Sequence, residues 1–230
     1  MLILSSIVCI LDDYYGFLAK EIFMKIIDIS QELLAARVYE GDPAPKIESL
    51  SDMEKGDLYN LSALSMCLHN GTHIDAPSHF IKGGKTVDEM PLDAFVGKCF
   101  VAEHQGDLTA EDAAKILEKA NLALAAKNLK KGTESDAAER ILLKGNLTVT
   151  EDAARVFAEA KIKLLGNEGQ TVGPEDSPMA VHLILLEKEV ILLEGIVLTG
   201  AREGVYLLSA APINIKGAEG SPCRAWLAEI

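Results

Sequence analysis

The chain has five histidines, and three of them fall within eleven consecutive positions, His69-Asn-Gly-Thr-His73-Ile-Asp75-Ala-Pro-Ser-His79. A helix would put His69 and His73 on one face, but Gly71 and Pro77 oppose a helix, while Thr72 and Ile74 favour extended backbone. Alternate side chains of an extended segment point the same way. Residues 69, 71, 73 and 75 would then present an imidazole, a gap, a second imidazole and a carboxylate, with Gly71 leaving room for an ion. Two imidazoles and a carboxylate suit Zn²⁺, or a neighbouring metal such as Mn²⁺. Pro77 turns the chain, which allows His79 to fold back as an uncoordinated base or as a group behind the ligands.

A second set lies downstream, at His182 in Met-Ala-Val-His-Leu-Ile-Leu-Leu and at Glu194 in Val-Ile-Leu-Leu-Glu. Glu194 closes an apolar run, where a carboxylate is costly unless it is paired or bound to a cation. His182 alone reads as a core or helix-capping residue; beside the first cluster it is a candidate ligand for a second ion. Ser78 has no Gly-x-Ser-x-Gly elbow around it and is not read as a nucleophile.

Several elements must hold these groups in place. Strands are expected at Lys25–Ile29, along the alternating stretch from Asn60 through Leu64, Met66 and Leu68, and at Cys99–Glu103, Arg140–Lys144, Ile162–Leu165, Val190–Leu193, Val205–Leu208 and Arg224–Ala228. Two helices start with a Thr cap and acids in the first turn: Thr109 precedes Ala113, Ile116, Leu117 and Ala120, and Thr150 precedes Ala153, Val156, Phe157 and Ala160. Ala120–Lys131 is also helix-prone. Residues 1–23 lack the period of either helix or strand and read as an atypical extension, with one domain over 24–230. Strands and helices without regular alternation fit α+β, or an α/β fold with a mixed sheet.

Composition removes other functions. Half the residues are apolar (49%) and a quarter charged (25%), a globular profile, and the net charge is −13. No basic patch is large enough to track phosphates; Lys127, Lys130 and Lys131 form the densest run, so no nucleic-acid partner is expected. Leu2–Ile10 is too short to span a membrane and has no basic residues ahead of it. Cys9, Cys67, Cys99 and Cys223 form no Cys-x-x-Cys pair, which fits reduced thiols and a cytoplasmic location.

The eleven-residue segment H-N-G-T-H-I-D-A-P-S-H (His69–His79) resembles the mark of the cyclase family of metal-dependent hydrolases, H-x-G-T-H-x-D-x-P-x-H, which includes bacterial kynurenine formamidases and isatin hydrolases. The likeness continues through Phe80–Leu92, Phe95–Gly97, Ile141–Lys144, Leu164–Gly166, His182–Glu187, Val190–Glu194 and Gly220–Ala225. It implies an α/β (mixed) fold, a swivelling β/β/α single domain with a central barrel-like mixed sheet, assembled as a homodimer or homotetramer. It also implies one or two Zn²⁺ or Mn²⁺ ions per subunit. His69, His73 and Asp75 would hold the first, His182 and Glu194 would complete the second, and Asp75 and Glu194 could bridge. His79 matches the proton-transfer residue. The implied reaction is hydrolysis of a formamide or cyclic amide of a small-molecule substrate by metal-activated water, N-formylkynurenine being the best-known type; a lactam such as isatin, a cyclisation, or metal binding without catalysis are the alternatives. The chain departs from the family at Asn167–Thr171, a stretch expected to line the substrate pocket, and at Glu40, where relatives often have proline. Tyr39 and Phe80 read as packing.

Overall fold

The computed structural model describes residues 24–127 and 138–230. The extension at 1–23 and the end of the helix-prone stretch, 128–131, lie outside the described residues. Thirteen strands occur among the described residues: β1 (Ile26–Asp28), β2 (Lys46–Ser51), β3 (Leu61–Ser65), β4 (His73–Asp75), β5 (Val96–Glu103), β6 (Gly106–Leu108), β7 (Arg140–Lys144), β8 (Leu147–Val149), β9 (Leu164–Asn167), β10 (Ile191–Glu194), β11 (Gly204–Ser209), β12 (Gly220–Pro222) and β13 (Trp226–Glu229). The helices are α1 (Leu92–Phe95), α2 (Ala110–Lys127), α3 (Glu151–Glu159) and α4 (Met179–Leu186).

Nine strands form one mixed sheet in the order β1-β13-β11-β5-β7-β9-β10-β4-β12, curled into a half-barrel. The centre, β5-β7-β9-β10, is parallel and the flanks are antiparallel. Strands covered on both faces read as unbroken apolar runs rather than as alternations. The pleat still divides them: Phe100, Ile141, Leu143, Leu165 and Leu192 pack with the helices, whereas Cys99, Val101, Leu142, Leu164, Ile191 and Leu193 pack into a second core on the other face.

The two capped helices form as their sequences predict. Thr109 Oγ1 donates to Asp112 Oδ2 at 2.6 Å and accepts from the Asp112 amide at 3.3 Å; Thr150 Oγ1 accepts from the Ala153 amide at 3.3 Å. Each helix follows a short strand, β6 or β8, and these two strands pair in parallel. The similar Thr-capped segments are thus paired strand–helix units lying side by side.

Three expectations are corrected. The strand from Asn60 stops at Ser65, and β3 pairs only with β2 in a separate hairpin. Residues 69–72 are a turn rather than a strand, because Gly71 adopts φ +65°. Gly71 is also not a gap left for an ion: a Cβ there would face Leu33 and Ala36 at 3.4 and 3.6 Å. The positive φ is what requires glycine. Among the described residues, no helix is long and apolar enough to cross a membrane.

Candidate metal centre

β4 supplies two of the candidate ligands. His73 and Asp75 are two residues apart, so both point to the helix-covered face, while Ile74 between them packs into the opposite core. Antiparallel pairing sets His73 directly opposite Glu194 at the end of β10. His182 reaches the same place from α4, which starts after Pro178. All four side chains are nearly fully buried. His69 enters from the turn before β4, and His79 from the single 3₁₀ turn that Pro77 begins.

The distances describe one tight constellation. His73 Nε2 lies 3.4 Å from Asp75 Oδ1 and 3.5 Å from Glu194 Oε2. His182 Nε2 lies 3.6 Å from Asp75 Oδ2 and 3.3 Å from Glu194 Oε1. His69 Nδ1 is 2.8 Å from Asp75 Oδ1, and His79 Nε2 is 3.9 Å from Asp75 Oδ2. Ligand atoms of His73, Asp75 and Glu194 lie within 4.8 Å of one another, as do those of His69, Asp75 and His79, so Asp75 belongs to both groups. The His69 ring stacks on His79 with centroids 4.1 Å apart, and Phe80 packs on both His79 and His182.

Backbone carbonyls fix the tautomers. His73 Nδ1 is 2.9 Å from the Gly71 carbonyl, and His182 Nδ1 is 2.9 Å from the Pro178 carbonyl. A carbonyl only accepts, so Nδ1 of each ring carries the proton and each Nε2 is turned toward two carboxylates. A lone pair facing two anions in a buried site demands a cation. Burial alone pushes both imidazoles down, yet hydrogen bonds to Asp75 and Glu194 raise each to about 10. Burial pushes Asp75 up, but His182, His69 and His73 hold it well below the ordinary carboxylate range. Burial and the Asp75 charge push Glu194 up, and His182 and His73 outweigh them and keep it low. Asp75 Oδ2 and His69 Nε2 are buried without a hydrogen-bond partner. Three imidazole nitrogens, two ionised carboxylates and an orphaned carboxylate oxygen fit a divalent metal ion.

Glycines allow the close approach. A Cβ at Gly220 would stand 2.5 Å from Cε1 of His69. Gly195, at φ +66°, brings its Cα so near the Gly71 carbonyl that a Cβ would come within 2.6 Å of that oxygen. Thr72 Oγ1 ties the same junction together, donating to the Gly195 carbonyl at 2.6 Å and accepting from the Gln31 amide at 2.9 Å.

The site opens into a cavity of about 280 Å³. His69, His73, His79, His182 and Glu194 line it, and so do Tyr39 and Phe80, which are wall residues and not only packing. Of the stretch where the sequence departs from the cyclase pattern, Gln170 and Thr171 face the cavity. Glu168 serves the fold instead, accepting from the Gly145 and Leu198 amides at 2.8 and 2.7 Å. Sequence reasoning missed Arg37 as a cavity residue; it stands in no motif, and a distant loop brings it to the wall. Burial pushes His79, which is only partly covered, below its ordinary 6.5.

Residues 27–174 match the family model described as "Putative cyclase". Over 218 residues the chain is 31% identical to a kynurenine formamidase of Salinibacter ruber, covering 89% of this chain and 97% of that one. It is 30% identical over 215 residues to a kynurenine formamidase of Bacillus anthracis, covering 87% and 96%. Among solved structures, a "potential metal-dependent hydrolase with cyclase activity" superposes with a TM-score of 0.68 at 27% identity, covering 90% of this chain and 99% of that one. Isatin hydrolase A from Labrenzia aggregata shares the fold, with a TM-score of 0.72 at 22% identity over 95% and 98% of the two chains.

Proposed function

The chain belongs to the cyclase family of metal-dependent hydrolases, and from that premise we propose that it hydrolyses the C–N bond of a formamide, with N-formylkynurenine as the type of substrate. The observation that carries the reading is the pair of buried imidazoles whose Nε2 atoms face the same two carboxylates beside an open cavity. His69, His73, Asp75, His182 and Glu194 would hold one or two Zn²⁺ or Mn²⁺ ions, with Asp75 in common. Such an ion, when bound, supplies a water of lowered pKa and stabilises negative charge on the amide oxygen.

The chain's own residues supply the rest. Burial keeps the His79 imidazole neutral near pH 7, so it can accept a proton. Its Nε2 is beside Asp75 Oδ2 and it borders the cavity, which supports the reading that it takes the proton of water and hands it to the leaving nitrogen. Stacking on His69 and edge contact with Phe80 fix the ring. The Gly71 and Pro178 carbonyls hold His73 and His182 in the ligating tautomer. Phe80 and Tyr39 give the cavity flat apolar surface for an arylamide.

We read 24–230 as the hydrolase domain and the protein as a cytoplasmic homodimer or homotetramer. The β2–β3 hairpin supports assembly, since it carries exposed Ile47, Leu50, Leu58, Tyr59, Leu61 and Leu64. The test is hydrolysis of N-formylkynurenine by the Zn²⁺- or Mn²⁺-loaded protein with the His69→Ala variant alongside. Turnover that the variant lacks is the expected result. No turnover of this or any other formamide by protein that holds its metal would overturn the reading.

A further inference from the structure

The cavity wall carries a charge that bond cleavage does not require. Among the described residues lining the cavity, Arg37 is the single Lys or Arg, and the acids there include Asp42 and Glu194. Its guanidinium grips Glu175 with both forks, Nη1–Oε1 and Nη2–Oε2 each 3.0 Å. The two side chains are 66% and 54% exposed, so the pair contributes little net stability and one carboxylate can exchange for another at small cost. The backbone around it is pinned: Gln170 Nε2 donates to the Arg37 carbonyl, and the Tyr39 hydroxyl donates to the Glu175 carbonyl at 3.0 Å.

Two further polar atoms of the cavity-lining residues are unpaired. With Nε2 committed, Gln170 offers Oε1 as an acceptor, and this atom is buried with no partner. Thr171, 6% exposed and also lining the cavity, has its Oγ1 unpartnered too. Buried polar atoms are ordinarily satisfied, so each of these unpaired atoms calls for a partner. A guanidinium fork matches a planar carboxylate, and Glu175 displays the geometry that Arg37 gives to one.

We infer that Arg37 determines substrate specificity by binding a carboxylate at the end of the substrate remote from the scissile amide, displacing Glu175, while Gln170 Oε1 and Thr171 Oγ1 accept N–H donors of the same polar end. Arg37 then favours a formamide that bears a carboxylate over a neutral anilide. This rests on the amide-hydrolase reading. In a chain of net charge −13 such a local cation favours an anionic substrate in a cavity that also holds acids.

The experiment measures kcat/KM for N-formylkynurenine and for neutral formanilide with the metal-loaded protein, and takes their ratio. Arg37→Gln should lower the ratio at least tenfold, and Glu175→Gln, which frees the guanidinium, should raise it. A ratio within twofold of wild type in both variants overturns the inference. Calorimetric titration with kynurenine and its methyl ester reads the same subsite without turnover. The acid should bind the wild type at least tenfold more tightly than the ester, and Arg37→Gln should erase that difference; equal affinities in the wild type overturn the inference. If the wild type hydrolyses neither formamide, the hydrolase reading fails on its own, and the titration still decides the role of Arg37.

Discussion

The imidazoles of His73 and His182 spend Nδ1 on backbone carbonyls and turn Nε2 toward Asp75 and Glu194, so in the absence of metal a proton must neutralise each cluster of charge. This has a sign that can be checked. Both rings are raised from 6.5 to about 10, so they bind protons more tightly folded than unfolded. The stability they contribute to metal-free protein is complete below about pH 6.5 and disappears as pH rises toward 10. Melting of chelated protein should therefore fall between pH 7 and 10, and reloading with Zn²⁺ should remove most of that fall; a flat profile in the chelated form would contradict the protonated reading. Metal must displace these protons, so affinity should drop on acidification, seen by titration at pH 5.5 and 7.5. Glu194→Gln should leave one oxygen too weak to ligate and reduce metal content measured by elemental analysis. These residues were legible in the sequence because His, Asp and Glu are unusual inside Gly- and Pro-framed or apolar runs. Gln170 and Thr171 were legible only as part of the Asn167–Thr171 departure, and Arg37 carried no such contrast, since its importance comes from the cavity it shares with them.

Two register relations between elements build the site: β4 lies antiparallel to β10, which opposes His73 to Glu194, and β12 lies beside β4, which brings Gly220 against His69. Gly220→Ala should push the His69 ring aside and lower metal content and turnover at least tenfold, with melting falling toward that of the chelated protein; unchanged metal binding would show that the contact relaxes freely. The α3 cap belongs to stability alone. Thr150→Ala should cost about 1 kcal/mol by denaturant unfolding, the usual loss for an N-cap, and leave formamide turnover per folded molecule unaffected. The central strands were readable to within a residue or three because burial on both faces makes them continuous apolar runs; Arg140–Lys144 matches throughout. α4 was not read as a helix because it is apolar nearly all round, which removes the 3.6-residue period. Within the β2–β3 hairpin, β3 was read as the start of the stretch from Asn60, whereas β2 was missed for the opposite reason: its apolar residues are exposed, so no buried face imposes an alternation. The turn at 69–72 depends on Gly71 meeting Gly195 and Leu33, a tertiary contact that the local sequence does not encode.

Across the whole molecule, the candidate ligands come from β4, the turn before it, α4 and β10, spread from His69 to Glu194, so a bound ion would join segments far apart in the chain. Ligands that bind only the folded state stabilise it, and chelation should lower the melting temperature together with activity. Unchanged melting after verified metal removal would mean that the strand pairing alone holds the site. Family similarity begins at Ile27, so deleting residues 1–23 should preserve turnover; its loss would assign that segment a part in folding or assembly. The central claim is a division of labour in one constellation: five side chains hold metal and His79 moves the proton. The measurement that tests it most directly is metal content and N-formylkynurenine turnover of His79→Ala beside the wild type. Metal content equal to wild type with turnover reduced at least about a hundredfold is the predicted result, in line with the usual size of general acid–base contributions. Turnover that survives, or metal lost in proportion to activity, would contradict it, the second because His79 would then be a ligand.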